Sequence, residues 1–130
     1  MIDKIAFILI QNGTILSTRT KGKEVYYIPG GKRESGETDG QTLIREVKEE
    51  LDVDIQPDSI NYLETFTAQS HGAKQGVMVQ MTCYTATFEG SLTASNEIAE
   101  LRWLNSGHMA IISEVDKKIF SYLKSKGLIG

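Results

Sequence analysis

PGGKRESGETDGQTLIREVKEELDV, residues 29–53, sets the terms for the rest of the chain. It opens on Pro29-Gly30-Gly31, a turn signal with two residues that lack a Cβ. It closes on a segment carrying Glu46, Glu49 and Glu50. At about 100° per residue, positions i, i+3 and i+4 fall on one helix face, so these carboxylates share a stripe. Leu43, Ile44, Val47 and Leu51 form an adjoining apolar stripe, which makes the helix amphipathic and able to pack. Only Arg45 and Lys48 lie near enough in sequence to balance the charge. Two carboxylates about 4 Å apart repel by roughly 1 kcal/mol in water and by roughly 4 kcal/mol at an effective dielectric of about 20. A divalent cation removes that cost, and hard cations such as Mg²⁺ prefer carboxylate and carbonyl oxygens. The plain alternative is a solvated acidic face.

The spacing upstream of the glutamates favours the cation. Gly31, five residues, Glu37, seven residues, then Arg45-Glu46-Val47-Lys48-Glu49-Glu50-Leu51-Asp52-Val53 resembles the Nudix box, G-x5-E-x7-R-E-U-x-E-E-x-G-U with U aliphatic. Eight of its nine specified positions match; Asp52 stands where the family has Gly. Glycine there would suit a left-handed helix end, a conformation Asp tolerates better than most residues with a Cβ.

The resemblance implies a fold, a reaction and a set of roles. The fold is an α/β (α+β) sandwich, a mixed central sheet between two main helices. The reaction is hydrolysis of the diphosphate linkage in a nucleoside di- or triphosphate-type substrate, giving a mononucleotide. The small chain suggests a nucleotide-pool house-cleaning enzyme. Mg²⁺ is the implied cofactor, with Mn²⁺ as a substitute. Glu46, Glu49 and Glu50, with the Gly30 carbonyl, are its implied ligands. Glu97, six residues before Trp103, matches a family glutamate that reaches back to the metal, and Glu100 is the other candidate there. Glu46, Glu49 and Glu97 are the catalytic candidates, with Glu46 and Glu97 as alternative proton acceptors. Glu37 and Arg45, with Gly31, support the site rather than perform the chemistry. Arg19, Lys32 and Tyr27 are the substrate-binding candidates. Arg19 sits where family members carry an arginine near the phosphates, and a guanidinium fork suits phosphate oxygens. A tyrosine of Tyr26-Tyr27 could stack on a base. Two further readings compete: a nucleotide-binding sensor that does not hydrolyse, and an RNA 5′-end pyrophosphohydrolase.

Composition sets outer bounds. The 130 residues suit one domain with one core, spanning 1–130. A hydrophobic share of 40% and a charged share of 24% are those of an ordinary globule. A formal net charge of −3 argues against a broad nucleic-acid surface, so a small nucleotide, not a stable nucleic-acid partner, is expected. The single cysteine, Cys83, lies in a strand-like run and reads as core. No apolar run approaches the roughly 20 residues of a membrane helix, and no signal peptide is evident, which points to the cytoplasm.

The remaining elements follow from periodicity. Ile2 to Ile10 reads as a strand buried on both sides, turned at Asn12-Gly13 into a strand at Thr14–Thr18. Residues 20–24 form a charged loop, and Val25–Ile28 a short strand. Thr38 or Asp39 caps the helix. Residues 61–68 and 77–88 predict strands joined by the polar loop 69–76, which holds His71 and is a specificity candidate. A strand at 101–104, with Trp103 in the core, precedes a helix over 112–126 that ends near Gly127.

Overall fold

The computed structural model describes residues 1–130. In chain order the elements are β1 (Ile2–Phe7), β2 (Ile10–Gln11), β3 (Thr14–Thr20), β4 (Tyr26–Tyr27) and β5 (Gly30–Gly31). Helix α1 (Asp39–Leu51) follows, then β6 (Asp54–Ile55), β7 (Asn61–Gln69), β8 (Met78–Thr85), β9 (Phe88–Glu89), β10 (Ile98–Leu104) and α2 (Glu114–Ser125).

One sheet runs β5-β1-β8-β7, the other β10-β3-β2 with β4 also on β3, and β6 pairs β9 in a small ribbon. β1 and β8 are parallel, with Ile2 opposite Val79 and Phe7 opposite Tyr84, and the other pairs are antiparallel. The sheet is therefore mixed, with a helix on each face.

Strand alternation sorts the core. Ile5 and Phe7 on β1 and Leu16 on β3 pack with Leu43, Val47 and Leu51 of α1. Ala6 on β1, Ile15 on β3 and Met81 and Cys83 on β8 pack with Val115, Ile119, Phe120 and Leu123 of α2. Each fully buried aliphatic side chain contributes roughly 1.5–3 kcal/mol of gross burial energy, so α1 is held mainly through its apolar stripe.

Several expected boundaries shift, for local reasons. Ile2–Ile10 is not one strand. It breaks at Ile8 and Leu9, whose backbone groups bond to different partners: Ile8 N–H donates to Tyr84, and the Leu9 carbonyl accepts from Leu16. The Asn12-Gly13 turn thus joins only two-residue β2 to β3, with both turn residues at positive φ. The 77–88 run breaks before Phe88, which leaves to pair with β6. β10 begins at Ile98, three residues earlier than expected. A 3₁₀ segment at Ser106–Ile111, unforeseen, precedes α2, whose cap is Ser113. Cys83 is fully buried, whereas Trp103 is only partly buried against the α1-side core. No helix is long and apolar enough to cross a membrane.

Candidate active site

Helix α1 starts where a capping box satisfies its free N–H groups. Thr38 Oγ1 accepts from Gln41 N–H, and Gln41 Oε1 accepts from Thr38 N–H. Arg33 fastens this end to the sheet, donating to Asp39 at 2.6 Å and to Asp3 of β1, while Tyr84 O–H donates to Asp39 at 2.6 Å. The helix ends at Asp52, which takes the left-handed conformation (φ 55, ψ 40) and donates its N–H to Lys48.

β5 lies where α1 presents its glutamates. Gly30 adopts φ 147, and a Cβ on it would collide with the Ile5 carbonyl, so only glycine fits the β1–β5 pairing. A Cβ on Gly31 would stand 2.5 Å from the Glu46 carboxylate carbon. The second glycine therefore clears the space that Glu46 occupies.

The glutamates share one electrostatic neighbourhood but differ in exposure. Glu50 is 9% exposed, and its Oε1 accepts from Gly30 N–H at 3.0 Å. Burial pushes its carboxyl up to about 8, against the Gly30 hydrogen bond and helped by Glu46, Glu97 and Glu49. Glu46 is also raised, by burial first. Arg45 opposes that shift, and Glu49 and Glu97 add to it. Glu49 is about half exposed and stands 3.5 Å from Arg45. Glu97 is exposed, just before β10, and its charge reaches both Glu46 and Glu50. The preceding loop is tied to the carbonyl end of α1: Thr93 N–H donates to Leu51, Ser95 N–H to Glu50, and Asn96 Nδ2 to the Glu49 carbonyl at 2.7 Å. Those bonds satisfy carbonyls that a helix end leaves free, and they bring Glu97 to the glutamate stripe.

Arg45 ties the loop to the helix. Its Nε and Nη2 grip Glu37 at 2.7 and 2.9 Å, Nη2 also donates to the Lys32 carbonyl, and Nη1 donates to Glu46 at 2.9 Å. The Arg45 bonds, the Glu34 N–H and the Thr42 hydroxyl hold the Glu37 carboxyl down at about 2.

The substrate-binding candidates separate. Arg19 is engaged by Glu100 at 2.8 Å and by the Lys23 carbonyl, and Tyr26 O–H donates to the same Glu100 oxygen. Glu100 is thereby committed to β3 and β4, away from the glutamate stripe. Tyr26 is buried, whereas half-buried Tyr27 lines a cleft with Ile28, Gly30, Gly31 and Glu50. Lys32 is exposed and contributes its carbonyl to Arg45.

Two residues that the sequence reading passed over stand beside this cleft. Lys4 lines it from β1. Asp116 of α2 is fully buried, accepts from Ile28 N–H at 2.9 Å through Oδ2, and has no partner for Oδ1. A carboxylate three and four residues before Ile119 and Phe120, on the apolar stripe of α2, was the available signal.

The donor set suits a hard dication. It is all oxygen, lies on one helix face with Glu97 opposite, and includes a desolvated carboxylate whose repulsion with its neighbours a cation would offset. As the side chains stand, no three acidic, imidazole or thiol groups gather at ligating distance. Glu46 is turned to Arg45 and Glu50 to Gly30.

Residues 2–123 match the NUDIX domain family, and the chain belongs to that family of pyrophosphohydrolases, which act on nucleoside diphosphate-linked substrates. Solved structures share the fold. The E. coli ORF135 protein has a TM-score of 0.73 at 23% identity, covering 97% of this chain and 92% of its own. The E. coli dihydroneopterin triphosphate pyrophosphohydrolase has a TM-score of 0.71 at 17% identity, covering 95% of each chain. A bifunctional NMN adenylyltransferase/ADP ribose pyrophosphatase from Francisella tularensis, complexed with AMP and a Mn ion, has a TM-score of 0.68 at 20% identity. It covers 96% of this chain and 41% of that one. No curated protein matches the chain.

Proposed function

We propose that this chain hydrolyses the phosphoanhydride bond of a nucleoside di- or triphosphate-type substrate with Mg²⁺, or Mn²⁺ in its place. The observation that carries this is Glu50, a carboxyl group held 9% exposed among other acidic groups in the lining of a cleft. A purely structural helix has no reason to bear that repulsion. Glu46, Glu49 and Glu50 would hold the ion, with Glu97 and the Gly30 carbonyl as further ligands. When bound, it neutralises phosphate charge and acidifies water.

The chain's own groups supply the rest. A water oxygen attacks phosphorus, the P–O bond to the leaving phosphate breaks, and the water proton passes to a carboxylate. Glu46 and Glu97 are the candidate acceptors. Arg45 holds Glu46 and Glu37 in register, and Gly31 leaves room for the Glu46 carboxylate. Tyr27 offers a ring face to the group beyond the phosphates.

The test is a nucleotide panel with Mg²⁺ and identification of a mononucleotide product. Glu50→Gln should lower the rate by at least 10²-fold with an unchanged circular dichroism spectrum. Near-normal activity of that variant would overturn the site assignment. Tight binding of nucleotide without cleavage by the natural chain would replace hydrolysis with a sensor role.

A further inference from the structure

The cleft beside Glu50 does not end there. Lys4, Tyr27 and Met81 line both it and an adjoining hollow that reaches Val79, Ser113 and His71. The two adjoin at those three side chains and together form a slot, with Glu50 at one end and Ser70 and His71 of the 69–76 loop at the other. Lys4 stands in the middle. Its side chain leaves β1 on the face of Ala6, opposite to Ile5 and Phe7, and so enters the slot from the sheet. Its ammonium lies 6.0 Å from the Tyr27 ring centroid. It forms no ion pair, in contrast to Arg19, Arg33 and Arg45. Behind the slot is Asp116, next to Ser113 and Val115 of the lining, with Oδ1 unpartnered at full burial. Asp116 and Lys4 act on each other through space without touching.

The slot therefore holds an unpaired cation between an aromatic face and a methionine. A flat ring fits those walls, and a phosphate would lose hydration against them at a cost. The donor in the middle can meet an acceptor on the ring edge. We propose that Lys4 is a specificity-determining residue that donates to a carbonyl oxygen of the substrate's base, so that keto bases (guanine, uracil, thymine) are preferred over adenine. This deepens the hydrolase reading and rests on it for the position of the phosphates.

The experiment measures kcat/KM with Mg²⁺ for GTP, UTP, dTTP and ATP, with inorganic triphosphate as the substrate without a base. The natural chain should prefer the keto nucleotides over ATP by about tenfold or more. Lys4→Met should lower kcat/KM for the keto nucleotides by about 10- to 100-fold and collapse that preference, and Lys4→Arg, which keeps a donor, should retain most of it. Equal use of ATP by the natural chain overturns the proposal. So does an equal loss on every nucleotide and on inorganic triphosphate in Lys4→Met, which places the ammonium on phosphate. Should no substrate be cleaved, the hydrolase reading fails separately. The same ratios are then read from dissociation constants of GTP, UTP and ATP, where a missing keto preference overturns the role of Lys4.

Discussion

Asp116 makes a quantitative forecast about stability. Burial first of all pushes its carboxyl up to about 7 from 3.8, with the Ile28 N–H, the Ser113 hydroxyl and the Lys4 charge opposing the shift. The rise is about three pKa units, worth roughly 4 kcal/mol at about 1.4 kcal/mol per unit. The native state binds the extra proton, so this contribution is fully present below about pH 4. It is lost as pH rises through about 7. Asp116→Asn keeps an oxygen for Ile28 and cannot ionise. Urea unfolding of both proteins from pH 4 to 8.5 reads the difference directly. The variant should gain on the natural chain as pH rises, by a total of up to roughly 4 kcal/mol, levelling off above pH 8. Glu50 and Glu46, whose carboxyls are also raised, titrate in both proteins and cancel in the difference. A constant offset from the new amide does not change the slope. A difference that stays flat across that range would refute the reasoning, because Asp116 would then ionise alike folded and unfolded.

Three other substitutions probe the site and its support. Gly31→Ala drives a methyl into the Glu46 carboxylate, so activity should fall about tenfold or more while the circular dichroism spectrum stays unchanged. Arg45→Lys replaces a fork that grips Glu37 twice with a point charge, which should cut kcat and speed proteolysis in the 32–38 loop. Asp52→Gly relieves a left-handed residue with a Cβ and should stabilise by about 0.5–1 kcal/mol, raising Tm by about 2–6 °C. An unchanged or lower Tm would show that the exposed Lys48–Asp52 pair, 3.2 Å apart, outweighs the strain.

What the sequence disclosed, and what it hid, follows the range of each interaction. Helix α1, its end near Leu51 and its cap, narrowed to Thr38 or Asp39 and found at Thr38, depend on neighbours within four residues and were readable. The family, too, could be read from one contiguous motif, residues 31–53, within the matched span of residues 2–123. The Glu37–Arg45 grip spans eight residues and came through resemblance, not geometry. Long-range partners did not show. Arg19 is held by Glu100, 81 positions away, and Asp116 answers Ile28, 88 positions away. The break at Ile8-Leu9 was invisible because both halves are equally apolar, and only the competing backbone partners Tyr84 and Leu16 divide them.

That break has a mechanical consequence. The two residues between β1 and β2 stitch one sheet to the other along a shared spine, with Ile8 bonded to the first and Leu9 to the second. Pages bound at such a spine cannot part there. Widening of the slot is left to its other margin, where β4 and the 69–76 loop meet through Tyr27 and His71, whose rings stand edge to face at 6.3 Å.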